Sequence, residues 1–322
     1  MWSIETDQTF PLSSVKPFDG LRAYRERCLA ETKKALTAAT RRRERSPITG
    51  SPLLPYGTLE GLDYLRCPDT GSIFLAELPS SAEWARLLSA VSRYRQSRET
   101  FHAEIAQTRH ENVHHPKLEW IRSTLRMQQL ERPAVLEVVT PPSDVTKLLT
   151  ASGVFRDVMT VNEMDLVMQG PPAAHERYGA AMLFESLDRV DDPAALLQAV
   201  VDRLVPNGLI FITSLVCSGF DVAVLGLRNM YLYPPDRTNC FSLHGLERLL
   251  AAVGLMLLEV STPGVLDLEI VDTHLRHDPT VVVSAFERQL MTADAETREA
   301  FQTFLQQHRM SSFSRMVGRK RA

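Results

Sequence analysis

From Pro133 onward the chain alternates short apolar runs with helical patterns, and this alternation limits its fold more than any other feature. Strand patterns cover residues 134–139, 157–161, 180–185, 209–214 and 256–261, with helical patterns near 143–150, 193–204 and 243–253. Parallel strands cannot be joined by tight turns, so intervening helices cross over a mostly parallel sheet and cover both its faces. The expected class is α/β, a Rossmann-like sheet with flanking helices, a small irregular N-terminal region and a C-terminal helical extension. A last strand is expected over 280–286, with antiparallel pairing at an edge.

The opening of this unit, PAVLEVVTPPSD, contains no glycine. Where a buried strand turns into a helix over a bound nucleotide, glycine normally lets the backbone approach the ligand. Here the turn is Thr140, Pro141 and Pro142. Two donors that would face a carboxylate or phosphate are thereby removed. A nicotinamide-dependent oxidoreductase, which relies on the glycine fingerprint for its pyrophosphate, is disfavoured.

Composition narrows the class further. With 322 residues, 44% hydrophobic and 23% charged, the chain can bury one sizeable core and a satellite. A net charge of -3 gives no electrostatic reason to expect nucleic acid or an anionic membrane as partner. The four cysteines are widely spaced, which supports neither a disulfide framework nor a structural zinc site and fits a reducing compartment. The N-terminus has no basic start followed by an apolar core, and no apolar run reaches the roughly 20 residues of a membrane span. A cytoplasmic location is expected, and the oligomeric state is left open.

The flanks read as attachments. Residues 1–80 are irregular, with helical character over 21–43, closed by the solvated basic run at Arg41 to Arg45, and then a Pro/Gly/Ser-rich linker. Residues 81–132 read as helical lead-in, 133–290 as the sheet domain, and 291–322 as a polar helix and a flexible basic tail. Within the lead-in, His110, Glu111 and His114 match the HExxH zinc-hydrolase spacing. The run is polar and Pro116 disfavours helix just before it, so the motif lacks its helical context and no metal is expected.

The most specific stretch is residues 178–214. A buried strand runs into Glu185 and Asp188, Asp192 and Pro193 open a helix, and the turn Val205 to Gly208 feeds the next strand. As LFESLDRVDDP followed by LVPNGLIFI, this stretch resembles the class I S-adenosylmethionine-dependent methyltransferases. The likeness covers about 133–270. The segment PPDRTNCFSLHGLERLLAAVGLMLLEVSTPG is similar to the later part of bacterial small-molecule and polysaccharide-cluster methyltransferases. LRCPDTGSIFL looks like the second half of the zinc ribbon with which such relatives begin, and Thr70 stands where the partner of Cys67 would be. A ribbon fold without its metal is expected.

The resemblance implies methyl transfer from S-adenosylmethionine to an oxygen or nitrogen of a small-molecule or sugar-like substrate. It places the cofactor against Glu137, Val138, Val139, Thr140, Asn162, Glu163, Phe184 and Glu185, with Asn162 at the ribose position. Asp188 is the catalytic candidate. Arg189 follows it where relatives often carry histidine, which makes proton abstraction there unexpected. Arg228, Tyr231, Arg237 and His244 are the candidates for the substrate, because they follow the fourth and fifth strands. The alternative is a methyltransferase-like scaffold or partner protein that has lost the cofactor, a reading that rests on the proline-filled turn.

Overall fold

The computed structural model describes residues 10–37, 40–97, 99–139, 144–173 and 176–322. Thr140, Pro141 and Pro142 of the proline-filled turn lie outside the described residues. Helices α1 (Leu12–Val15) and α2 (Phe18–Ala35) lead into strands β1 (Thr40–Arg42), β2 (Leu54–Leu59), β3 (Leu62–Arg66), β4 (Ile73–Leu75) and β5 (Glu77–Pro79). The basic run therefore does not close a helix. Arg41 and Arg42 lie in β1, and Arg43 is buried, donating to Asn239 Oδ1 at 2.6 Å and to the Asp191 carbonyl at 2.8 Å.

Two turns of this N-terminal region share one hydrogen-bond pattern. In the turn from Cys67, the Cys67 N–H donates to the Ser72 carbonyl and the Gly71 N–H to the Cys67 carbonyl, both at 2.8 Å. The turn SPITGS repeats this pattern, with Ser46 N–H bonded to Ser51 and Gly50 N–H to Ser46. Thr49 Oγ1 lies 3.6 Å from Cys67 Sγ, and Thr70 bonds Ser72, so hydroxyl hydrogen bonds fasten the two turns. Among the described residues no group of three or more His, Cys, Asp or Glu could hold a metal ion.

After α3 (Ser81–Gln96) and α4 (Ala106–Arg109), the HENVH segment His110–His114 forms a π-helical turn that passes into α5 (His115–Met127). The expected break before Pro116 is absent. Proline lacks an N–H and crowds the carbonyl four residues back, and a wider turn relieves both problems. Leu118, Ile121 and Leu125 then recur on one buried face of α5, as an amphipathic helix requires.

The main sheet begins with β6 (Ala134–Val138), followed by α6 (Asp144–Ala151), β7 (Asp157–Val161), α7 (Glu163–Met168) and β8 (Tyr178–Phe184). Next come α8 (Pro193–Arg203), β9 (Leu204–Leu215), α9 (Phe220–Leu225), the short β10 (Asn239–Cys240), α10 (Leu243–Ala252) and β11 (Leu255–Ser261). Three helices, α11 (Asp267–His277), α12 (Ala285–Met291) and α13 (Ala295–Gln307), precede the last strand, β12 (Phe313–Lys320). The six-stranded order is β11-β12-β9-β8-β6-β7, with β7, β6, β8 and β9 parallel and β12 antiparallel to both its neighbours. Among the described residues no helix is long and apolar enough to cross a membrane.

Two expectations fail at the C-terminus. Residues 280–286 form no strand; Ser284 and Glu287 instead make a capping box that starts α12. The basic tail supplies β12, and it runs inside the sheet between β9 and β11. Lys320 Nζ donates to the carbonyls of Val201 and Leu204 at 2.7 and 2.8 Å, capping the C-terminal end of α8 with a cation.

Side-chain alternation along the strands builds two cores. Leu136, Val138, Leu183, Ile210 and Ile212 pack with Leu196, Leu197 and Val200 of α8 and Leu246 and Leu249 of α10. Val135, Ala180, Met182, Leu209, Phe211 and Val317 meet Leu118, Trp120, Ile121 and Leu125 of α5 on the opposite face. The small sheet β10-β4-β3-β2 joins the fold through β10, which follows β9, the last strand of the main sheet's parallel run in the chain.

Candidate functional site

The chain leaves β6 toward β7 on one side and returns to β8 on the other, so the strand order reverses at β6. In open α/β sheets the crevice outside the carboxyl ends of such diverging strands is where ligands bind. Several expected residues gather there. Glu137 is buried and accepts from Thr146 Oγ1 at 2.5 Å, tying β6 to α6. The Val138 carbonyl accepts from Ser186 Oγ at 2.7 Å, and Val139 N–H donates to the Val161 carbonyl. Thr140 lies outside the described residues.

Asn162 ends β7 and caps α7, its Oδ1 accepting from Met164 N–H at 2.9 Å, and Glu163 follows it fully buried. A cleft of about 480 Å³ opens beside Asn162, with Asp165 and Gln169 on the same wall and Ser89, Ser92 and Arg93 of α3 on the other. The α3 wall is pinned by Trp84, whose indole Nε1 donates to the Arg189 carbonyl at 2.8 Å. The sequence did not indicate that the lead-in helix would form this wall, because its surface serines carry no motif.

Glu185, the residue after β8, sits at φ 62°, a left-handed conformation that costs a non-glycine residue on the order of 1 kcal/mol. Its N–H still donates to the Thr213 carbonyl, so the strand continues while the side chain turns. Glu185 Oε2 accepts from Arg237 at 2.6 Å, and Arg237 Nε lies 3.4 Å from Asp188. Burial works against an ionised Glu185, but Arg237 and Lys117 hold its carboxyl well below the usual carboxylate range. The two carboxylates likewise hold the Arg237 guanidinium above its ordinary value despite burial.

Asp188, the catalytic candidate, has no exposed surface. Burial pushes its carboxyl up to about 7, against the pull of Arg237 and of the Ser214 hydroxyl that donates to it at 2.6 Å. Its contacts are with Ser214, the Leu215 N–H and Arg237, which makes it a group that orients Arg237. Arg189 turns away toward Asp236, 3.6 Å off.

The substrate candidates divide. Tyr231 and Arg237 lie at the crevice side. Arg228 is exposed and bonds Thr280, while His244 is exposed on α10 with Glu247 4.0 Å away. The fold does not bring Arg228 or His244 to Glu185.

Three cations were missed by sequence reading. Lys117 is 5% exposed, with its ammonium 4.3 Å from the centre of the Phe184 ring. Lys16, closing α1, lies 3.9 Å over the Tyr231 ring, and Arg109 ends α4, against which α1 packs. Burial lowers both lysines to about 8. His114, one turn before Lys117, is lowered by burial and by Arg109 to about 3, and its buried Nδ1 has no hydrogen-bond partner among the described residues. No signal beyond the polar helical pattern of the lead-in could have found these groups.

A sheet of this order, with its crevice at the reversal point, defines an α/β protein of the Rossmann-like type. The model of the methyltransferase domain family matches residues 67–260, more than half of the chain, and the chain belongs to that family. No curated protein sequence matches it. Among solved structures it is similar to the 1,6-didemethyltoxoflavin-N1-methyltransferase of Burkholderia thailandensis at 13% identity, covering 84% of this chain and 100% of that one with a TM-score of 0.44. The plantazolicin methyltransferase BpumL gives 12% identity over 74% and 96% of the two chains, TM-score 0.43. A SAM-dependent methyltransferase from Archaeoglobus fulgidus gives 11% over 63% and 94%, TM-score 0.39. At these values nothing of their ligands transfers to this chain.

Proposed function

We propose that the protein transfers a methyl group from S-adenosylmethionine to an oxygen or nitrogen of a small-molecule or sugar-like acceptor, as a bacterial-type enzyme with a degenerate cofactor turn and no metal. The observation that carries this is the crevice at the β6 reversal, with a polar cleft at Asn162 on one side and the strained Glu185 on the other. The residues fit the cofactor. Asn162 and Asp165 offer amide and carboxylate groups to a ribose, and Glu137, Val138, Val139 and Glu163 border the approach to its methionine part. Phe184 and Glu185 face the reacting end.

When bound, the cofactor would supply an activated sulfonium, a methyl donor that needs only an acceptor lone pair in line and becomes a neutral thioether, with the acceptor's proton lost when product is released. The chain's own task is then positioning and water exclusion rather than strong base catalysis. Glu185 and Asp188 fix Arg237, and Arg237 with Tyr231 borders the acceptor. A His114 held neutral with so low a proton affinity accepts hydrogen bonds but takes no proton at neutral pH.

Incubation with methyl-labelled S-adenosylmethionine and a panel of small hydroxy and amino compounds tests this directly. Labelled product, lost in Asn162→Ala, is expected; label in no compound, with the cofactor demonstrably bound, counts against the enzyme. The prolines of the turn favour one rival, a scaffold that no longer takes the cofactor, and absence of cofactor binding would favour it.

A further inference from the structure

The cations at the carboxyl end of β8 are placed in a way that the folding of the chain does not require. Among the described residues, Lys16, Arg109 and Lys117 have no carboxylate within ion-pair distance and no hydrogen-bond acceptor for their charged groups. Lys117 is nearly fully buried and rests its ammonium on an aromatic face, as Lys16 does on Tyr231. Removing cations from water without pairing them is costly, and a ring face offsets only part of that cost. The Glu185 carboxylate acts electrostatically on all three, but Arg237 already holds it at 2.6 Å. Asp221, Asp144 and Glu137 act in the same way on Lys16, Arg109 and Lys117 respectively, and none of them stands within ion-pair distance.

These cations, without a direct counter-ion, lie where the proposed chemistry brings another cation. A sulfonium beside three unpaired cations is disfavoured unless an anion stands among them, the more so in a site that excludes water. The cluster also lies on the acceptor's side. It reaches from Phe184 at the end of β8 to Tyr231 beyond β9, whereas Asn162 and its cleft lie on the other side of β6.

We propose that Lys16, Arg109 and Lys117 form an anion subsite, and that the methyl acceptor is an acidic small molecule whose carboxylate or phosphate lies among them with its apolar part against Phe184 and Tyr231. This deepens the methyl-transfer reading and rests on it for the word acceptor. The subsite itself does not depend on that reading. The cofactor's own carboxylate is the competing source of the same chemistry.

The test uses the full chain and four probes: benzoate, uncharged benzamide, S-adenosylhomocysteine and 5′-methylthioadenosine, which lacks the carboxylate. Calorimetry is expected to show benzoate binding and benzamide not binding. Lys117→Met should weaken benzoate at least tenfold and Lys117→Arg should retain it, while neither changes the two nucleosides more than twofold. Arg109→Gln serves as a second variant should circular dichroism show Lys117→Met to be unfolded. Equal binding of benzoate and benzamide overturns the subsite. A tenfold loss of S-adenosylhomocysteine with methylthioadenosine unchanged also overturns it, because the cations then hold the cofactor. Failure of both nucleosides to bind the wild-type chain defeats the methyl-transfer reading instead, and the benzoate comparison still decides the subsite.

Discussion

Glu185 shows how one residue joins fold and site. Its left-handed backbone turns the carboxylate out of the strand line and onto Arg237, and strain of this kind persists only where surrounding contacts hold it. Glu185→Gln should therefore cost about 1–2 kcal/mol in chemical denaturation, the size of a charge-assisted hydrogen bond, and reduce turnover further by releasing Arg237. A variant as active as the wild type would show that Arg237 needs no such anchor. The lysines give a pH signature. With folded-state values near 8, Lys16 and Lys117 carry their charge below that pH and lose it above. Lys117 faces Glu185, Arg315, Arg109 and Glu137, and Lys16 faces Arg109, Glu185, Asp221 and Arg237; burial lowers Arg315 to about 10, but a delocalised guanidinium keeps its proton across this window, so the change belongs to the lysines. Benzoate affinity should fall as pH rises from about 8 toward 10, because benzoate itself does not titrate there. Affinity constant across that range would mean that the lysines do not contribute.

Among the elements, β12 separates what was legible in the sequence from what was not. The five strands expected within residues 134–261 announced themselves by apolar runs, most continuous in β6, β8 and β9 at the centre of the sheet, and the observed bounds differ from expectation by a few residues at most for four of the five. The exception, β9, begins at Leu204, and the expected turn becomes an irregularity within the strand: Tyr178 pairs Leu204 and Ala180 pairs Leu209, with Asn207 between them at a left-handed φ of 62°. FSRMVGRK hides its strand because polar groups find partners inside the protein: Ser314 bonds the Ser214 carbonyl, Arg315 lies 5.3 Å from the Trp120 ring and Lys320 caps α8. Entry to β12 is also tightly packed. A Cβ on Gly219 would come within 2.1 Å of Ser312 Cα, so Gly219→Ala must move backbone. A loss of about 1–3 kcal/mol in thermal or denaturant unfolding is expected, and an unchanged midpoint would show the approach to be looser than described. The lining of the crevice was legible where strand ends set it, at Glu137, Asn162 and Glu185. It was hidden where the lead-in helices supply cations and a cleft wall, because long-range packing alone brings those residues to the crevice.

For the whole molecule, the last eight-residue strand completes a sheet that begins far earlier in the chain. A chain ending before Phe313 would expose the flanks of β9 and β11 and the buried Met316 and Val317 positions, and it should lose cooperative unfolding; a sharp two-state transition in that truncation would contradict the role given to β12. The ribbon, the lead-in helices and the sheet then act together: α3 forms the wall opposite Asn162, α1 and α5 bring lysines to Phe184 and Tyr231, and the sheet sets the distance between them. Under the proposed function this arrangement holds a nucleoside cofactor on one side of β6 and its acceptor on the other. Titration calorimetry of the full chain with S-adenosylhomocysteine tests this most directly. One-to-one binding tighter than about 1 mM, weakened at least tenfold in Asn162→Ala, is expected; no heat of binding up to millimolar ligand would contradict it.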